Sequence, residues 1–115
     1  MKTVTVRRST WVRGSIGGQS LLLNHDGNMC CLGFAICQVS RHIRLCGLKG
    51  VGDPQKVFAR ASFLTQRNEY GEVLNNKFSN KAIEINDSNE ISEKQREARL
   101  KRLFRANGIK LTFVD

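Results

Sequence analysis

The spacing of apolar residues changes period several times along the chain. From Lys2 to Val12 it alternates, with Val4, Val6, Trp11 and Val12 separated by Thr and Arg. A period of two rich in Val, Thr and Trp predicts a strand, or a bent pair of strands. Gly14, Gly17 and Gly18 then break the pattern, and Asn24-His25-Asp26-Gly27-Asn28 has the composition of a turn. Met29 to Val39 is the most apolar stretch, with only Gly33 and Gln38 outside the hydrophobic set. It is too long for a short buried strand and apolar on nearly every side, so it predicts a buried helix at about 30–40.

Asp53-Pro54 opens a second predicted helix, 54–66, because Asp caps well and Pro is tolerated at the first helical position. Residues 72–80 carry Asn75, Asn76 and Asn80 and read as a polar loop, while Ala82-Ile83-Glu84-Ile85 is too short to assign. The clearest element is a helix near 90–106. Ser92 and Gln95 have capping-box spacing, with Asp87 and Glu90 as a rival start. Ala98, Leu100, Leu103 and Phe104 supply an apolar stripe, and Glu97–Lys101 has the favourable spacing for an ion pair. Asn107-Gly108 stops the helix, and Ile109 to Val114 alternates as a half-buried strand. Together these elements predict a single α+β domain spanning 1–115. Its terminal strands are expected in one mostly antiparallel sheet, packed by the buried helix.

Length and charge refine this picture. A chain of 115 residues fits one domain with one modest core. Lys plus Arg number 19 against 10 Asp plus Glu, a net charge of +9, which favours anionic partners. The excess is uneven: residues 1–50 carry seven basic residues and one Asp. No apolar run follows the basic first residues, and the longest apolar stretch is far short of a membrane span, so no membrane association and a cytoplasmic location are expected. Cys30, Cys31, Cys37 and Cys46 fall in or just after the apolar segment, which predicts reduced, buried thiols rather than a disulfide framework.

The segment Gly27-Asn28-Met29-Cys30-Cys31-Leu32-Gly33-Phe34 resembles one found in small proteins of bacteriophage and other mobile gene pools, integron cassettes among them. These proteins carry Cys-Cys-Leu-Gly after a short turn, and an Asn-Asp pair ahead of a C-terminal helix. Here that pair is Asn86-Asp87. The resemblance covers 20–40 and 83–114. It implies an accessory protein of a mobile genetic element and transfers no catalytic residue.

Candidate chemistry is sparse. His25, Cys30, Cys31, Cys37, His42 and Cys46 are metal-ligand types, but adjacent side chains on a helix diverge by about 100°, so no metal site is expected. No glycine-rich phosphate loop is present, since Gly14-x-x-Gly17-Gly18 lacks the following Lys-Ser/Thr. No catalytic set and no cofactor are expected, and the reading leans away from an enzyme. The expected function is that of a small binding or accessory protein acting through protein contacts, including a homodimer. A basic nucleic-acid-binding protein is the alternative, and a cysteine-dependent or metal-binding enzyme comes third. Candidate ligand or partner contacts are His25, Asp26, Asn86 and Asp87. Candidate anion contacts are Arg99, Arg102 and Arg105 on the last helix.

Overall fold

A computed structural model describes residues 2–17, 26–39, 66–67, 73–75 and 77–115. In chain order the described elements are β1 (Lys2–Arg7), α1 (Cys31–Val39), β2 (Gln66–Arg67), β3 (Val73–Asn75), α2 (Lys77–Asp87), α3 (Glu93–Ala106) and β4 (Ile109–Val114). A single 3-10 turn at Arg8–Thr10 ends β1. The helix expected at 54–66 lies outside the described residues except for its last position, Gln66, which is in β2.

β1 and β4 are neighbours in one sheet, but they run parallel, with Lys2 opposite Ile109, Val4 opposite Leu111 and Val6 opposite Phe113. The expectation of a mostly antiparallel sheet is therefore wrong. Alternation reports which face of a strand is buried, and half-buried strands usually belong to antiparallel sheets. Direction is set by the connection instead. A long crossover carrying helices returns the chain to the end from which it started, which a tight hairpin cannot do. Among the described strands, only the short β2–β3 pair is antiparallel.

The alternation itself is accurate. Val4, Val6, Ile109, Leu111 and Phe113 are buried on one face of the sheet, whereas Thr3, Thr5, Lys110 and Val114 are exposed on the other. α1 covers the buried face as its composition requires, and every residue from Cys30 to Ile36 is buried. α3 packs along β4 and α2 joins α1 to α3. Phe78 of α2 meets Phe104 of α3 edge-on at 5.0 Å, and Trp11 lies 4.8 Å from Phe113. Full burial of a side chain such as Phe104 contributes roughly 2 kcal/mol.

α2 begins in the stretch 72–80 that the sequence suggests is a polar loop and continues through Ala82–Ile85, too short to assign from sequence. Its buried stripe is Phe78, Ser79, Ala82, Ile85 and Asn86. Two of these five are polar, which erases the apolar period that would announce a helix. α3 starts at the capping box: the Gln95 amide N–H donates to Ser92 Oγ at 3.1 Å, and the Ser92 N–H donates to Gln95 Oε1 at 3.0 Å. Its core face differs from the expected stripe, since Ala98 is exposed and Arg96 is buried beside Leu100 and Phe104. The chain leaves α3 through Gly108, whose φ of +81° suits glycine at a helix end.

The two outer edges of the β1–β4 sheet are treated differently. At β1 the side-chain amide of Gln38 acts as a surrogate strand. It accepts from the Thr5 N–H at 2.8 Å and donates to the Thr5 carbonyl at 2.7 Å. At β4 no strand pairs with the outer edge among the described residues.

Candidate functional site

The cysteine segment, the first place to look for chemistry, is interior structure. Cys30 and Cys31 are buried as free thiols, and Cys37 is half-buried. Burial pushes the Cys30 thiol up to about 11, against backbone N–H groups that favour the thiolate. Burial raises Cys31 as well, with the neighbouring Cys30 adding to the effect. Both therefore stay protonated at neutral pH, which is the wrong state for a nucleophile. His25, His42 and Cys46 lie outside the described residues. Among the described residues no three His, Cys, Asp or Glu side chains converge on a common point.

Asn86 is a buried structural junction rather than an open contact point. Its Oδ1 accepts from Trp11 Nε1 at 2.8 Å and from the Cys31 N–H at 3.1 Å. Its Nδ2 donates to the Val12 carbonyl and to Asp87 Oδ1, each at 2.9 Å. Both partners of Oδ1 are donors only, which fixes the orientation of the amide. Asn86 thus supplies the N-terminal cap of α1 from another helix and ties both to the chain after β1. The two segments that carry the sequence resemblance meet here, through Cys31 and Asn86.

Next to this junction, three arginines are consumed by the fold. Arg96 is only 3% exposed. It donates to the carbonyls of Ile85, Asn86 and Ser88, which the end of α2 leaves without helical partners. Glu93 accepts from Arg96 and also forms a close ion pair with Arg13. Arg13 in turn lies over the Trp11 ring at 4.5 Å. Arg8 takes Glu97 at 2.7 Å, so the pair expected between Glu97 and Lys101 does not form; Lys101 is instead over the Phe113 ring at 5.8 Å.

Three of the other basic residues gather in a different place. An open groove of about 580 Å³ runs beside β4, lined by Lys101, Arg105, Lys110, Leu111, Thr112 and Phe113. Lys101 and Arg105 are one helical turn apart on the same flank of α3. Asn107-Gly108 then folds β4 back along the helix and delivers Lys110 to the same groove. None of these three cations forms an ion pair among the described residues. The backbone of β4 supplies the rest of the site. Thr5 points its N–H and C=O toward Gln38, so Val4 and Val6 point theirs toward β4. In a parallel ladder with this register, Lys110 and Thr112 then face β1, and the backbone groups of Leu111 and Phe113 face outward.

The residues singled out from sequence divide accordingly. Arg105 lines the groove, while Arg99 and Arg102 are exposed but outside its lining. Asp26 is exposed in the turn before α1, where Gly27 adopts φ +82°. Asp87 holds the Asn86 amide at the end of α2 rather than capping the following helix. Lys101 and Lys110 were not singled out; the signal was their position on either side of the Asn107-Gly108 reversal. Comparison with protein-family models, with characterised proteins and with solved structures returned no match.

Proposed function

We propose that this chain is a non-enzymatic binding protein that engages an acidic protein partner through the groove beside β4. The observation that carries the reading is the contrast among its cations. Arg8, Arg13 and Arg96 are paired within the fold, whereas Lys101, Arg105 and Lys110 stand around a groove with no described carboxylate among its lining residues. Such a cluster is held apart from bulk counterions only weakly and gains by meeting an opposite charge. A second copy of the chain is the poorer fit, because two-fold pairing at β4 would bring two sets of these cations together.

A place among accessory proteins of mobile genetic elements belongs to the same reading, supported by the Cys30-Cys31-Leu32-Gly33 segment and the Asn86-Asp87 pair. A cytoplasmic setting is supported by the free thiols of Cys30 and Cys31. In the described structure no helix is long and apolar enough to cross a membrane. Nucleic acid is the second reading, favoured by Arg102 and Arg99, which continue the basic row of Arg105 along α3. Against it, every described aromatic ring is buried, leaving no described platform on which a base would stack.

Fluorescence anisotropy with a labelled oligoglutamate and a labelled random DNA duplex, at about 50 mM and about 200 mM salt, tests the proposal. The oligoglutamate is expected to bind at the lower salt. Lys101→Glu with Arg105→Glu, both on the exposed side of α3, should weaken it at least about tenfold. Tighter binding of the duplex, no binding of the oligoglutamate, or indifference to the two substitutions overturns the reading.

A further inference from the structure

We infer that the acidic partner binds as an added β-strand along the outer edge of β4, an extended peptide whose acidic side chains alternate across the edge. The inference rests on the groove reading above and specifies how the groove is used. Two features of the sheet lead to it. First, a bare strand edge is normally blunted, because its N–H and C=O groups invite pairing. Here β1 is blunted by Gln38, which satisfies both backbone groups of Thr5, while Leu111 and Phe113 present theirs outward with no partner among the described residues. Second, cations stand on both sides of this edge. Lys101 and Arg105 rise from α3 on the packed face of the sheet, and Lys110 projects from the opposite, exposed face.

This arrangement matches the chemistry of an extended peptide. Its backbone would take up the ladder of Leu111 and Phe113, which gives affinity independent of sequence. Its side chains, alternating in direction, would meet Lys101 and Arg105 on one face and Lys110 with Thr112 on the other. Acidic residues are therefore accepted at both phases of the alternation, and basic ones are rejected at both. A polyanion lacking a peptide backbone would satisfy the cations and leave the strand edge unused.

The test separates backbone pairing from charge. A peptide with Glu at both phases of the alternation, Glu-Glu-Val-Val-Glu-Glu, six residues like β4, is compared with the same sequence N-methylated at every backbone amide. Methylation keeps the charge and removes all strand-forming N–H groups. Binding to the full chain is measured by anisotropy, and amide hydrogen exchange is followed at Leu111 and Phe113. The unmethylated peptide is expected to bind at least about tenfold tighter and to slow exchange at those two amides. Equal affinity of the two peptides, or unchanged exchange on binding, overturns strand addition while oligoglutamate binding sustains the groove reading. Failure of both peptides and of oligoglutamate overturns both.

Discussion

Replacing Asn86 by Leu tests whether the junction beneath α1 is held by hydrogen bonds or only by filled volume. Leucine has nearly the same size and is more apolar, so packing alone would tolerate it. Hydrogen bonding would not. The Trp11 indole N–H, the Cys31 N–H and the Val12 carbonyl all use the Asn86 amide, which is 1% exposed. Each buried group left without a partner costs about 1–3 kcal/mol. The three losses are not independent, since small shifts can relieve part of the strain, and a net destabilisation of about 3–5 kcal/mol is expected. Domains of ordinary stability have only about 5–15 kcal/mol in hand. Trp11, the single tryptophan of the chain, reports the transition directly because its indole is one of the orphaned donors. With a urea dependence of about 2 kcal/mol per molar, the midpoint should fall by about 2 M. A shift below about 0.5 M would refute the reasoning and reduce Asn86 to a space-filling residue.

Three further outcomes are expected. Gln38→Ala uncovers the Thr5 N–H and carbonyl at the β1 edge, so sedimentation should show concentration-dependent self-association absent from the parent chain; an unchanged monomer fraction contradicts the role of Gln38 as an edge seal. Burial alone would raise the Glu93 carboxyl, but hydrogen bonds from Arg13 and Arg96 outweigh it and hold the group below its ordinary value of 4.5. Its stabilisation is therefore complete above that value and disappears as pH falls through the lower folded value. Urea midpoints should drop between about pH 5 and pH 3 more steeply in the parent than in Glu93→Gln, and equal slopes would exclude the pairing. In a chain carrying Cys37→Ser and Cys46→Ser, Cys30 and Cys31 should resist a thiol reagent at about pH 8 until urea unfolds the protein, and rapid labelling of the folded state would show that either is reachable.

Much of the framework was legible wherever one residue type had one physical use. Nine apolar residues between Met29 and Val39 could only be enclosed, so α1 was readable, and the start of α3 was narrowed to Ser92 with Gln95 or to Asp87 with Glu90 one turn earlier. The pairing of Val4–Val6 with Leu111–Phe113 was also readable, from matched alternation at the two ends. Direction was not, because alternation is the same whichever way a strand runs. α2 was hidden because Ser79 and Asn86 occupy positions where a helix usually shows apolar residues. The partners of Asn86 (Trp11, Val12 and Cys31) lie far away in sequence. The groove was half legible: Arg105 was visible as an exposed cation, but Lys101 looked like a partner for Glu97 until Arg8 took that carboxylate. Lys110 joined them only once the chain reversed at Gly108. Long-range competition for a single acid thus decided which cations remained available.

The side-by-side placement of β1 and β4 has a consequence for how the molecule acquires its shape. Among the described strands, Lys2 must wait for Ile109, and Val6 for Phe113, before either has a neighbour. Until then α1 alone covers the apolar side of the first segment, and the sheet beneath it lacks its second strand. Contacts between such distant positions are slow to form. The chain should therefore reach its native arrangement in one late, concerted step, after the last helix and strand have been synthesised, rather than by growing outward from its beginning.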